Sequence, residues 1–219
     1  VLEALYSTPA GKNTIVIVLA DHGDGMGSHR MVTKQVSFYE EMTNVPFIIA
    51  GPGIHPRQKP VEDLLTQPTI DLLPTLCELA GIPVPSSKPG ISLAPFLKGE
   101  KQKRQHPYAA SEWHSEYEVT VSPGRMIRSP RYKYTHYLEG NGEELYDMLK
   151  DKGERRNLAH DPKYSKILAE HRALLDDYIR RTQDDYRSLK VEADKRWRSH
   201  VPGYPNHEGP CARDIINRK

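Results

Sequence analysis

The chain has 219 residues, of which 37% are hydrophobic, and this is enough apolar content for a folded core. Its 31 basic and 29 acidic residues leave a formal net charge of +2, too small to indicate nucleic acid or an acidic membrane as a partner. The two cysteines, Cys77 and Cys211, are not in a CxxC pair, so we expect free thiols rather than a zinc site or a disulfide framework.

No run of 18 apolar residues occurs, and we therefore predict no contact with a membrane. The first residues show neither an initiator Met nor a signal peptide. We expect the chain to begin within a longer protein.

The first predicted strand, residues 14–20, is an unbroken run of mostly β-branched apolar residues. Such a run is typical of a strand buried on both faces of a parallel sheet. Asp21 and His22 follow it directly, and glycines follow at 23, 25 and 27. In open α/β sheets ligands bind beyond the carboxyl ends of the strands, so the sequence predicts chemistry at this strand end.

Further along, the sequence predicts a short helix at residues 37–42 and a second buried strand at residues 45–50, which ends at a Gly-Pro-Gly turn. An apolar stripe at helical spacing predicts a helix over residues 66–80, bent at Pro74. This alternation favours a parallel or mixed sheet flanked by helices.

The composition changes at residues 83–104, which are rich in Pro, Ser, Gly and Lys and mark a candidate boundary. A long helix is predicted from an N-cap at Asp161 to about Arg181, and residues 186–219 read as a tail that wraps the surface or is disordered. Four short stretches between turn residues predict a small antiparallel sheet: residues 108–113, 125–128, 132–137 and 144–146.

Several motifs occur in a fixed order along residues 12–183. They are DHG with Gly27, His29 and Lys34 behind it, then VPFIIAGPG, DLLPTLCELAGI, GRMIRSPRYKY and ELYDMLKDKGERRNLA. In this order they closely resemble the C-terminal part of a type I sulfatase of the alkaline-phosphatase superfamily. The ordered combination is far more specific than a lone DHG.

The resemblance implies an α/β fold, an alkaline-phosphatase-like sandwich with a small C-terminal subdomain of antiparallel strands and one long helix. Residues 1–83 would be the C-terminal part of the catalytic α/β domain, residues 84–183 the subdomain, and residues 184–219 a basic tail containing prolines. It further implies hydrolysis of sulfate esters or sulfamates of sulfated carbohydrates by a protein exported to the periplasm, a lysosome or the medium.

The resemblance also assigns site residues. Asp21 and His22 match metal ligands, usually of calcium, although imidazole is a less usual calcium ligand than oxygen and leaves the metal open. Lys34 matches a lysine that contacts sulfate and would stabilise charge on the leaving oxygen, so it is the catalytic candidate. His29 and His114 are candidate substrate contacts. A turn-forming Asp21, a solvated Lys34 and ordinary surface histidines are the alternatives.

The family's nucleophile is a formylglycine made within a C/S-x-P-x-R motif, which this sequence lacks. The nearest match, at residues 121–125, has Val121 in the nucleophile's place. The resemblance places the formylglycine and two further metal aspartates upstream of this chain. We therefore expect this chain alone to be inactive, to hold metal weakly, and either to associate with itself through its exposed main sheet or to cover that sheet with its tail.

Two other functions are compatible with these residues. A phosphatase, phosphodiesterase or phosphonate hydrolase of the same superfamily would share the DHG ligands, since fold and metal do not fix the reaction. A non-catalytic module that binds sulfated glycans is the second alternative.

Overall fold

The computed structural model describes residues 1–31, 37–61, 64–86, 89–102, 105–116, 119–138 and 142–189. The chain divides into two compact units, each assembled from three stretches: the first comprises residues 1–22, 44–110 and 128–130, and the second comprises residues 23–43, 111–127 and 131–219. The domain boundary predicted at residue 83 applies to a longer protein, and it stays a prediction.

Eleven helices and strands are used below to locate residues. In chain order they are α1 Leu2–Tyr6, β1 Val16–Leu19, α2 Glu40–Thr43, β2 Phe47–Ala50, α3 Pro68–Leu79, α4 Ala94–Leu97, β3 Ala109–Glu116, β4 Val119–Arg128, β5 Tyr132–Tyr137, β6 Gly142–Asp147 and α5 Ser165–Thr182. Within the described ranges, no helix is both long and apolar enough to cross a membrane.

Strands β1 and β2 of the first unit pair antiparallel, with Val16 opposite Ala50 and Leu19 opposite Phe47. The expectation of a parallel sheet was therefore wrong for this pair. Val18 is 46% exposed and Ile48 is 57% exposed in the described part of the chain. A continuous apolar run does not reveal the direction of the partner strand or which residues bury each face, because both depend on tertiary structure.

Helix α3 confirms the predicted helix over residues 66–80, with Pro68 in its first turn. Its Asp71 is fully buried and accepts hydrogen bonds from the backbone N–H groups of Gln67 and Ile91, both at 2.8 Å. The Nε2 atom of His106 lies 2.7 Å from the same carboxylate. Asp71 thus ties two downstream segments to the start of α3, because a buried carboxylate must have its oxygens satisfied.

One turn further along α3, the Thr75 hydroxyl makes a second link of this kind. It donates to the carbonyl of Asp71 at 2.6 Å and accepts from the backbone N–H of Leu93 at 2.9 Å. Thr75 is fully buried. The loop before α4 is therefore held by a side chain whose removal would leave a buried N–H group without a partner.

In the second unit, β3, β4, β5 and β6 form a four-stranded sheet in that order, which confirms the predicted small sheet. Strands β5 and β6 pair antiparallel, with Tyr132 opposite Asp147. The predicted long helix is also present. The Asp161 carboxylate accepts from the N–H of Lys163 at 3.0 Å, and α5 follows after one short turn.

The residues after α5 correct the predicted tail. Tyr186 is fully buried, and its hydroxyl donates to the carbonyl of His136 at 2.9 Å. The Arg125 guanidinium lies 4.4 Å from the Tyr186 ring centre and binds both oxygens of Asp184 at 2.7 and 2.9 Å. Residues 184–189 therefore belong to the second unit, whereas residues 190–219 lie outside the described residues.

We expect Thr75→Val to lower the free energy of unfolding by about 1–3 kcal/mol, because valine keeps the shape but leaves the buried Leu93 N–H unpaired. The measurement is urea denaturation of the whole chain. Thr182→Val is the matched control, because this hydroxyl is exposed and bonds only within α5. A similar small change in both variants, within about 0.5 kcal/mol, would contradict the role given to Thr75.

Candidate metal centre and its neighbouring loop

The predicted metal ligands Asp21 and His22 lie just past the end of β1, in the first unit. The Asp21 carboxylate is 87% exposed and the His22 side chain 42% exposed, with Oδ2 of Asp21 at 3.6 Å from Nε2 of His22. The backbone N–H of His22 donates to the other carboxylate oxygen at 3.0 Å. The first-strand end therefore presents an oxygen and a nitrogen ligand side by side and open to solvent.

This pair fits a divalent cation in both ligand type and spacing. Two ligands at right angles on an ion with bonds of about 2.4 Å stand about 3.4 Å apart, close to the observed separation. A hard cation such as calcium prefers six or more oxygens, however, so two ligands supply only part of its coordination.

Among the predicted site residues, the structure gives a shared geometry for Asp21 and His22. Lys34 lies outside the described residues, and the side chain of His114, on β3, is likewise outside them. His29 belongs to the second unit, whereas Asp21 and His22 belong to the first. The catalytic role of Lys34 and the substrate contacts of His29 and His114 stay predictions.

The glycine-rich loop that follows folds against α2 in the second unit. The N–H of Gly23 donates to the carbonyl of Met42 at 2.9 Å, and a Cβ at this glycine would lie far inside van der Waals contact with the Glu41 carbonyl. Positive φ angles occur at Met26 (44°), Gly27 (95°), His29 (50°) and Arg30 (62°). Non-glycine residues held in this region store strain, so packing must hold the loop in place.

The His29 side chain is held between two groups of the α2 segment. Its ring stacks on Tyr39, with centres 3.6 Å apart and planes within 2°, and its Nε2 lies 3.8 Å from Oε2 of Glu41. Burial lowers the pKa of His29 below its ordinary value, against the opposing effect of Glu41. His29 is therefore a neutral imidazole at neutral pH, able to donate or accept a hydrogen bond.

Sequence reasoning missed the charged residues that hold this segment. The ammonium of Lys133, on β5, lies 2.7 Å from Oε1 of Glu40 and 2.9 Å from Oε1 of Glu154. The available signal was a lysine between two tyrosines in a predicted strand. Charged residues are almost never fully buried without a partner, so a lysine at such a position indicates an ion pair.

Comparison with known proteins identifies the family. Residues 27–181 match the family described as "N-sulphoglucosamine sulphohydrolase, C-terminal". The chain belongs to this sulfatase family. The resemblance to type I sulfatases is thereby confirmed.

Relatives of this sulfatase chain share the assignment. The Delta 4,5-hexuronate-2-O-sulfatase of Bacteroides thetaiotaomicron is 77% identical over 219 residues, which are 100% of this chain and 46% of that protein. Human Arylsulfatase K is 33% identical over 168 residues, 73% of this chain and 30% of its own length. The sulfatase chain thus spans less than half the length of these curated relatives.

Solved structures confirm the predicted fold class. The structure of a 2-O GAG sulfatase superposes with a TM-score of 0.87 at 77% identity, covering 98% of this chain and 46% of that one. A sulfatase bound to its substrate, D-glucosamine-2-N,6-O-disulfate, gives 0.74 at 25% identity, covering 86% and 39%. A phosphonate monoester hydrolase of Agrobacterium radiobacter gives 0.66 at 26% identity, covering 80% and 36%.

We expect Gly23→Ala to destabilise the second unit of this sulfatase chain more than Gly27→Ala, as measured by urea denaturation. At Gly23 the new methyl group meets the Glu41 backbone, so α2 or the loop must move. At Gly27 nothing lies within 4 Å, and only the positive φ opposes alanine, at a cost of about 1–2 kcal/mol. A smaller loss in Gly23→Ala than in Gly27→Ala would contradict the packing of this loop on α2.

Proposed function

We propose that this chain is part of a metal-dependent sulfatase, in which Asp21 and His22 hold a divalent cation, calcium in our proposal. The observation that carries the proposal is the exposed Asp21–His22 pair with ligand atoms 3.6 Å apart at the end of β1, in a chain of a sulfatase family. A location outside the cytoplasm belongs to the same proposal and rests on the family resemblance.

We propose a sulfated glycosaminoglycan saccharide as the substrate, with the sulfate ester on a uronic acid. The support is the 77% identity to a hexuronate-2-O-sulfatase across the whole chain. Support for the broader class comes from the 2-O GAG sulfatase structure and from the relative bound to a sulfated glucosamine. Sulfatases of this family act on sulfated glycans, and the position of the sulfate is the finer part of the proposal.

In the proposed mechanism Asp21 and His22 supply a carboxylate oxygen and an imidazole nitrogen to the cation, which when bound polarises a sulfate oxygen. Lys34 contacts the sulfate through its ammonium and stabilises negative charge on the leaving oxygen. His29, neutral because burial lowers its pKa, donates a hydrogen bond to the substrate. The formylglycine nucleophile lies upstream of this chain.

A chimaeric protein tests these roles. In it, this sequence replaces the matching part of the 77% identical relative, and hydrolysis of a 2-O-sulfated unsaturated uronate disaccharide is measured. We expect Asp21→Asn and Lys34→Met each to lower kcat/KM by about 100-fold or more, since the first removes a carboxylate ligand of the proposed cation and the second removes the ammonium proposed to contact the sulfate. Lys152→Met is the control, because this lysine is exposed and lies in the second unit. Full activity in Asp21→Asn would refute the metal role.

The superfamily alternative is supported by the similarity to a phosphonate monoester hydrolase. The same chimaera distinguishes it, because a phosphonate or phosphate ester would then be cleaved faster than the sulfate ester. The glycan-binding alternative predicts that this chain binds the sulfated disaccharide as well after Asp21→Ala and Lys34→Ala as before.

Metal binding to the isolated chain is expected to be weak. Calorimetric titration with calcium should give a dissociation constant of about 10⁻⁴ M or weaker, because two ligands from one loop supply only part of the coordination. Asp21→Asn should abolish the remaining heat, and the chain alone should not hydrolyse an aryl sulfate. Submicromolar calcium binding would show that the described ligands are not the whole site.

We also propose that the isolated chain associates with itself through β1 and β2, whose Val18, Leu19 and Ile48 are exposed. Sedimentation velocity should show association that Ile48→Lys weakens about tenfold, since the charge lies on the apolar strand surface. Ile82→Lys is a matched control, because Ile82 is also 57% exposed and lies outside both strands. A monomer at all concentrations would count against the association.

A further inference from the structure

Among the described residues of the second unit that form ion pairs, Lys133 has the most enclosed positive charge. Its side chain is 1% exposed, and its ammonium contacts two carboxylates and donates to the carbonyl of Phe38 at 2.9 Å. The carboxylates belong to Glu40 and Glu154, at 2.7 and 2.9 Å. The other oxygen of Glu154 accepts from the backbone N–H of Glu40 at 2.7 Å. Three of these contacts therefore converge on residues 38–40.

Such a cluster is not explained by stability alone. Removing an ion from water costs several kcal/mol, and a buried ion pair often stabilises a protein no more than apolar residues of the same size would. Burial raises the pKa of Glu154, against the effect of Lys133. The cluster does define the positions of its members, because an ammonium that contacts two carboxylates and a carbonyl holds these three groups in place.

The fixed segment is the start of α2, which has four residues and is too short to be stable by itself. Its neighbours Tyr39 and Glu41 are the two residues that hold the His29 imidazole. Tyr39 also packs in a buried cluster with Met31, Met42, Tyr146 and Met148. A continuous set of contacts therefore runs from the ammonium of Lys133 to the ring of His29.

His29, Glu41 and Glu154 also place one ligand atom each within 4.8 Å of one another. A metal ion there would have to displace the ammonium, which already lies 2.9 Å from Glu154. The cluster thus has its positive charge within the chain.

We propose that Lys133 is a positioning residue that fixes His29, the predicted substrate contact, by holding the start of α2. This deepens the proposed function and rests on it. The charged groups that face His29 are Glu41 and Asp151, which raise its pKa, and Lys133 and Arg155, which lower it. Loss of Lys133 therefore changes both the place and the charge environment of the imidazole.

The experiment is an NMR titration of the histidine rings in the whole chain. In Lys133→Met we expect the pKa of His29 to rise, because a positive charge that lowers it is lost and two carboxylates lose their partner. The ring-proton shift caused by stacking on Tyr39 should also decrease. Lys133→Arg, which keeps the charge, should retain most of both signals. Lys150→Met should change neither, because this lysine is exposed.

A double variant keeps the experiment decisive if Lys133→Met does not fold. Lys133→Met combined with Glu154→Gln leaves no unpaired charge on Glu154, and it should fold with a reduced stacking shift. Unchanged His29 signals in the folded double variant would overturn the proposal. These readouts need no catalysis, so their failure is distinct from failure of the sulfatase assignment.

A double-mutant cycle in the chimaeric protein connects the contact to the reaction. Lys133→Met should lower kcat/KM about tenfold when His29 is present and have little further effect in a His29→Ala background. Losses that multiply independently would overturn the coupling between the two residues.

Discussion

The geometry around the site loop depends on one buried ammonium. The glycine-rich loop has four positive φ angles, and α2 is a single turn, so both elements depend on contacts from elsewhere in the chain to hold their shape. Lys133 supplies what they lack from β5, a strand fixed on both sides by neighbours in the sheet. In our proposal the position of His29, a predicted substrate contact, thus depends on a residue about a hundred positions further along the chain.

In the first unit a buried negative charge has the corresponding role. Asp71 is a carboxylate at the start of a helix, and its bonds to Ile91 and His106 tie two irregular segments to α3. In both units a buried charged group joins segments that lie far apart in the sequence. Each such group needs several partners at once, because a buried charge left without them would cost several kcal/mol.

Sequence reasoning found the regular elements and the family, and the reasons are physical. Helices α3 and α5 were predicted because their apolar residues recur at helical spacing and a proline or a capping aspartate marks each start. The antiparallel direction of β1 and β2 was not predictable, because an apolar run carries no information about its partner. Lys133, Asp71 and Tyr186 were missed because hydrophobicity patterns assign charged residues to the surface and assign a polar, proline-rich stretch to a tail.

The predicted metal ligands and the proposed positioning residue differ in how far the sequence reveals them. Asp21 and His22 are adjacent and follow a strand, so local sequence and strand geometry suffice to place their ligand atoms together. Glu40, Lys133 and Glu154 are far apart in sequence, and the tertiary structure of the second unit joins them. A motif therefore identifies the chemistry of this family, whereas the precision of the site depends on long-range contacts that no short motif contains.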